Sequence, residues 1–420
     1  MNLFKISYKG LKDKKLSSFL SILLVAFGIA IISSLLLLSD QVSKNLEKNA
    51  KDIDAVVGAK GSPLQLILSS IYYIDFPTGN IPLKDAEEIA RNPLVKMAVP
   101  LALGDNYDGN RIVGTDSSFI DLYQLTLDKG NFWKNDFEVS IGYAIASSKN
   151  LKLGDEIYGS HGLTTGGEVH ETRPYKIVGI IARQDNVVDH LVLTNISSIW
   201  GMHEHHDEEE EVANTSDKPV LAEEEQGHLH HAHHEEEAIS DTREITSLLI
   251  QYRSPMSVIM FPKMINKSTF LQAASPAMES ARLFSLIGVG IETLEWFALL
   301  IIFIAAISVF VTLYQSLKER RYDLAVMRTL GASKIKLFLI IITEGVMLTL
   351  IGSLLGLMAG HLFVELIGRY QEEGQITFNG DVFLQQEIYL LTGGLLLGII
   401  ASLIPAMQAY RTDIAKTLSR

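Results

Sequence analysis

Apolar positions fall into a few long uninterrupted runs and one long stretch without any. The first run, Ser17 to Ser39, carries no charge between Lys15 and Asp40. At about 1.5 Å per residue it crosses a hydrocarbon core of about 30 Å. A signal peptide would have a shorter apolar region and a small-residue cleavage site, so this run is expected to stay as an anchor. Three further runs close the chain: Trp296 to Leu317, Leu337 to Val364 (broken only by Glu344 and His361), and Ile388 to Tyr410. The predicted organisation is a cytoplasmic segment 1–16, a first span 17–39, an external domain 40–290, a second span 291–317 and a loop 318–336. A third span 337–364, an external loop 365–387, a fourth span 388–410 and a tail 411–420 complete it.

Lysine and arginine distribution sets the expected orientation. Lys5, Lys9, Lys12, Lys14 and Lys15 precede the first span; Lys318, Arg320, Arg321, Arg328, Lys334 and Lys336 fill the loop after the second; Arg411, Lys416 and Arg420 follow the fourth. The loop 365–387 has only Arg369. Both termini and the 318–336 loop are therefore expected in the cytoplasm, with 40–290 outside. Gly352, Gly356 and Gly360 recur every four residues and share one helix face, a pattern that lets a neighbouring backbone approach closely. Gly393, Gly394 and Gly398 suggest the same for the fourth span. No charge sits mid-span, so a force-transmitting bundle is expected rather than a solute channel.

The external stretch reads as mixed α/β. Asp85–Asn92 predicts a helix; Leu94–Pro100, Arg111–Gly114, Tyr175–Ile181, His190–Leu193, Leu248–Tyr252 and Ser257–Phe261 predict strands. The fold class expected is a four-helix membrane protein with a large mixed α/β domain between helices one and two. A membrane-proximal part, 41–100 plus 240–290, is expected to carry a distal insert.

Composition changes this picture at one place. The formal charge is −13, but residues 203–237 alone hold 13 acidic side chains against the single Lys218. Eight of the twelve histidines lie there, in two clusters: His203, His205 and His206, then His228, His230, His231, His233 and His234. Neutral imidazole with carboxylates nearby suits Zn²⁺, Cu²⁺ or Ni²⁺. The low-complexity composition predicts a segment disordered when empty, with several weak, exchangeable metal sites. His161, His170, His190 and His361 are isolated and expected to be structural. There is no cysteine, so disulfides and thiolate metal sites are excluded. No basic patch suggests nucleic acid, no GxxxxGK[ST] loop suggests an ATP site, and no catalytic constellation suggests an enzyme.

Residues 318–345 read KERRYDLAVMRTLGASKIKLFLIIITEG, and residues 404–418 read IPAMQAYRTDIAKTL. With weaker matches at 111–119, 144–157 and 175–181, these resemble the MacB/FtsX permeases, the type VII or mechanotransmissive ABC transporter family. The acidic, histidine-rich 203–237 departs from that pattern. The resemblance implies a homodimer, or a pair of homologous permeases, in a bacterial inner membrane and among its lipids. It also implies a separate cytoplasmic ABC ATPase that alone handles ATP, and leaves open a periplasmic or outer-membrane partner. The 318–336 loop would form a coupling helix. Glu319, Arg320, Arg321, Asp323 and Arg328 would be its polar docking contacts, Leu324, Val326, Met327 and Leu330 its apolar face, and Gly331 its C-cap. The expected function is ATP-driven conformational work outside the membrane, in metal (zinc) handling. Lipoprotein or lipid extrusion, control of a cell-wall hydrolase and transmembrane metal sensing are the alternatives.

Overall fold

The computed structural model describes residues 3–162, 173–202, 243–267, 270–370 and 378–411. They divide into two units, Met1–Lys44 with Phe284–Arg420, and Asn45–Leu283. The fold is four helices long and apolar enough to span a membrane, with a mixed α/β domain inserted between the first and second.

In the membrane unit a short helix α1 (Leu3–Asp13) leads into α2 (Lys15–Asn49). The other spans are α8 (Pro276–Glu319), α10 (Lys334–Tyr370) and α11 (Gln385–Tyr410), with a short α9 (Arg321–Thr329) before α10. α2 has 35 residues and α8 has 44, against the roughly 20 that a bilayer core needs. Both therefore continue unbroken well past the hydrocarbon.

Without water there is little hydrophobic drive between helices in a membrane, so close packing of small residues carries the association. Gly352, Gly356 and Gly360 of α10 lie directly against α2, facing Val25, Ala26 and Ser33 in turn. Gly394 and Gly398 of α11 lie against Ser353 and Thr349 of α10, while Gly393 has open space where a Cβ would point. Between α2 and α8 hydroxyls take over: Ser17 meets Thr312 at 2.7 Å, and Ser21 meets Ser308 at 2.9 Å and Thr312 at 3.0 Å. At the opposite end of the bundle, the His361 Nε2 lies 2.9 Å from the Glu387 carboxylate, and Ser33 donates to the same oxygen at 3.3 Å. Gln41 clamps Asn379, donating to its carbonyl and accepting from its amide, both at 2.8 Å.

In the inserted domain the sheet runs β13-β1-β12-β3-β4-β10-β6-β9-β5, with β7 on β9 and β8 on β3. The strands are β1 Ala55–Ala59, β3 Val95–Tyr107, β4 Asn110–Thr115, β5 Leu127–Gly130, β6 Glu138–Ile141, β7 Glu156–Ile157, β8 Ser160–His161, β9 Tyr175–Ile181, β10 Val192–Asn195, β12 Ser247–Tyr252 and β13 Leu271–Ala274. The short β2 (Ile81–Pro82) and β11 (Glu244–Ile245) form a separate pair. β3 is the spine: its first half pairs with β12 and its second half with β4, on both sides of a register shift between Leu103 and Asn106. Two cores follow from that division. One gathers Val57, Ile89, Leu248, Ile250 and Phe261; the other Ile112, Val139, Ile141, Tyr175, Ile177 and Val192.

One predicted strand is a helix. Ser257–Phe261 begins α7 (Ser257–Ile265), which follows α3 (Pro63–Ser70), α4 (Leu83–Ala90), α5 (Ser117–Tyr123) and α6 (Tyr143–Ser148) in this domain. Its buried positions, Ser257, Phe261 and Ile265, repeat every four residues as a helix requires. Met256, Val258, Ile259, Met260 and Met264 are exposed although apolar, and they hide that period in the sequence.

Tyr175 is fully buried and its hydroxyl has no hydrogen-bond partner among the described residues; burial, then the charge of Asp105, holds its phenol far above the ordinary range. Deleting an unpaired buried hydroxyl removes a desolvation cost, so Tyr175→Phe should leave stability unchanged or raise it by about 1 kcal/mol. A thermal melt of the variant beside the parent reads this directly.

Burial lowers the His190 imidazole below its ordinary value, against the pull of the Asp189 carboxylate, itself raised by burial. The unfolded chain then takes up a proton at His190 more readily than the folded one as pH falls through about 6.5. Stability should drop on that acid limb. Asp189 acts in the opposite sense, its cost growing as pH rises past about 3.8. Melting curves between pH 7.5 and 5 should show a shallower decline for His190→Asn than for the parent.

Candidate coupling site

The turn from α8 into α9 and α10 gathers the charges that the loop sequence displays. α8 ends at Glu319, Arg320 stands just before α9, and the Arg320 Nη1 reaches the Glu344 Oε1 at 3.0 Å. The Glu344 side chain is 1% exposed and the Arg320 side chain 21%. A carboxylate inside an apolar helix must be paired to be tolerated, and Arg320 supplies the pair. α1 covers it: a Cβ on Gly10 would meet the ends of both the Arg320 and Glu344 side chains, so a larger residue there would make the ion pair shift. Ser7, on the same face of α1, donates to the Ile340 carbonyl at 3.1 Å. At the elbow between α1 and α2, the Lys14 amine meets Glu319 at 2.7 Å. Three pieces of chain, α1, the α8–α9 turn and α10, thus meet at one buried ion pair.

α9 ends as its sequence demands. Gly331 has φ +95°, its amide bonds to the Arg328 carbonyl at 3.1 Å, and the Ala332 amide to Met327 at 3.0 Å. This is the paired closure of a Schellman motif, for which a left-handed glycine is the usual residue.

Of the apolar residues expected to face a partner, Leu324 is 2% exposed and belongs to the bundle, packed with Leu317, Leu337, Ile340 and Ala406. Met327 is half-buried on the same cluster and Val326 is half-buried. A nine-residue helix lying against a bundle spends its one apolar stripe on the bundle. Arg320 likewise faces inward to Glu344, and Arg328 is half-buried. The outward surface is Glu319, Arg321, Tyr322, Asp323 and Leu330, with Tyr322 61% and Leu330 82% exposed. Tyr322 was missed in the sequence, where an aromatic among charges gave no signal. Gly10 and the Arg320–Glu344 pairing were missed too, although a lone Glu in an apolar run is itself a sign of a buried partner.

The expected metal ligands, His203, His205, His206, His228, His230, His231, His233 and His234, lie outside the described residues. Among the described residues no group of three or more His, Asp or Glu side chains is placed to hold a metal ion.

Two family models match in tandem: the MacB-like periplasmic core domain over residues 18–216 and the FtsX-like permease C-terminal over residues 296–414. The chain is 31% identical over 145 residues to the lipoprotein-releasing system transmembrane protein LolE of Haemophilus influenzae, 31% of this chain and 35% of that one. It is 27% identical over 116 residues to an uncharacterized ABC transporter permease of Methanocaldococcus jannaschii, 27% of this chain and 29% of that one. The chain thus spans about a third of the length of these curated relatives. The periplasmic region of MacB from Actinobacillus actinomycetemcomitans aligns at 9% identity with TM-score 0.32, over 57% of this chain and 97% of that one. One match covers the first span and most of the inserted domain, the other the last three spans with the α9 turn, in the order the fold has them: the chain belongs to the MacB/FtsX-type ABC transporter permeases.

Proposed function

We propose that this permease takes up ATP-driven motion at α9 from a separate ABC ATPase and delivers it to the inserted domain through α2 and α8. The observation that carries the proposal is the buried Arg320–Glu344 pair under Gly10, which joins the α9 turn to α1 and α10. Residues Arg321, Tyr322, Asp323 and Leu330 form the ATPase-facing surface. Two permease chains work as a pair in a bacterial inner membrane, with termini in the cytoplasm as the lysine and arginine distribution favours. The chain has no cysteine, so a single Lys129→Cys, at an exposed position in the inserted domain, can carry a spin label. With the ATPase present in nanodiscs, ATP is expected to shift the distance between the labels of the paired chains. An unchanged distance sinks the proposal.

The work done outside is proposed to be metal handling, zinc first, on the strength of the eight histidines and thirteen acidic residues of 203–237. Zinc titration of the full chain should show several sites that vanish when 203–237 is deleted. If no binding is lost, the similarity to LolE, a lipoprotein-releasing system protein, favours the second reading, lipoprotein extrusion.

A further inference from the structure

A groove of about 600 Å³ runs along the membrane unit where α1, α2 and α10 meet. We propose that it is a binding site for one anionic glycerophospholipid. Its mouth holds Lys12 and Lys15, both exposed, on either side of the α1–α2 junction. Neither forms an ion pair among the described residues, whereas the neighbouring Lys14 is engaged by Glu319. No acidic side chain lines the groove. Tyr8, 60% exposed, also lines the groove, and an amphipathic ring of this kind is favoured at a membrane boundary. Below the mouth the walls are hydrocarbon: Leu11, Phe19 and Ile22 on one side and Ile351 of α10 on the other.

The two halves of the groove ask for different chemistry. Two clustered lysines at a membrane surface attract an anionic headgroup, each contributing on the order of 1 kcal/mol. The trough beneath offers acyl chains an apolar bed at the same depth. A soluble phosphate would satisfy the mouth alone and a zwitterionic lipid chiefly the trough; an anionic phospholipid satisfies both. The ligand lies on the face of α1 opposite Gly10, so it bears on the helix that closes over Arg320 and Glu344.

The test uses the delipidated full chain in micelles and native mass spectrometry with dioleoyl phosphatidylglycerol and dioleoyl phosphatidylcholine. The parent should hold one phosphatidylglycerol about tenfold more tightly than phosphatidylcholine, a difference of about 1.4 kcal/mol. Lys12→Gln with Lys15→Gln should remove most of that preference, while Lys5, Lys9 and Lys14 remain to fix orientation. Lys318→Gln with Lys336→Gln, an equal loss of charge at exposed positions, should leave it intact. Ile351→Trp fills the trough and should weaken phosphatidylglycerol with both lysines present. Equal losses from the two lysine pairs would reduce the effect to net charge and overturn the site. Full binding by Ile351→Trp, or displacement of the lipid by millimolar inorganic phosphate, would overturn it as well.

Discussion

Glu344→Ala should destabilise the membrane unit by about 2 kcal/mol, because it leaves the half-buried Arg320 without its counter-charge. Removing one partner of a buried pair costs more than the pair contributes, since the remaining charge keeps its desolvation penalty. The same reasoning predicts that replacing both, with Arg320→Met and Glu344→Met, restores most of the lost stability. It should not restore coupling, because the tether between the α9 turn and α10 becomes a greasy contact that can slip. Lys14→Ala is the control. Its partner Glu319 is 66% exposed, so that pair is worth no more than about 1 kcal/mol. Thermal unfolding in micelles ranks the variants, and label distances in the ATPase complex separate stability from coupling. A Glu344→Ala melt within error of the parent would remove the ion pair from the argument.

Gly356→Leu is the second large expectation. A Cβ there would sit 2.6 Å from the Ala26 carbonyl oxygen and 2.9 Å from the Ile29 Cβ. The nearest obstacle is backbone, so no rotamer change relieves it and α2 must move away from α10. Overpacking of this kind costs up to about 3 kcal/mol, and a leucine reaches further than the Cβ. Gly393→Leu, in open space on α11, should leave the melt almost unchanged. The pair of variants distinguishes the seam from a general intolerance of bulk in membrane helices, read as folded yield and midpoint of unfolding.

The four spans and the mixed domain between them were legible because both signals are long. A run of twenty apolar residues has no alternative home, and strands such as Tyr175–Ile181 are short apolar runs rich in β-branched residues between polar flanks. Gly352, Gly356 and Gly360 were readable as one face, though not as the face meeting α2, since period alone does not name a neighbour. Short elements failed where exposed apolar residues mimicked burial: Ser257–Phe261 read as a strand because four of its flanking and interior positions are apolar for reasons other than packing. Leu324 shows the converse. An amphipathic stripe says that something covers it, and here the cover is the chain's own bundle. The Arg320–Glu344 contact joins positions 24 apart across a turn, which pattern reading along one helix does not see.

The two long helices enter the inserted domain at one end of a single ladder. α2 is followed by β1 after residues 50–54, where Asp52 has φ +62°, and β13 passes into α8 through Ser275 alone. β1 and β13 run antiparallel, with Val56 opposite Ala274 and Ala59 opposite Leu271. The two connections differ in slack: β13 continues into α8 through one residue, whereas α2 reaches β1 through a five-residue turn.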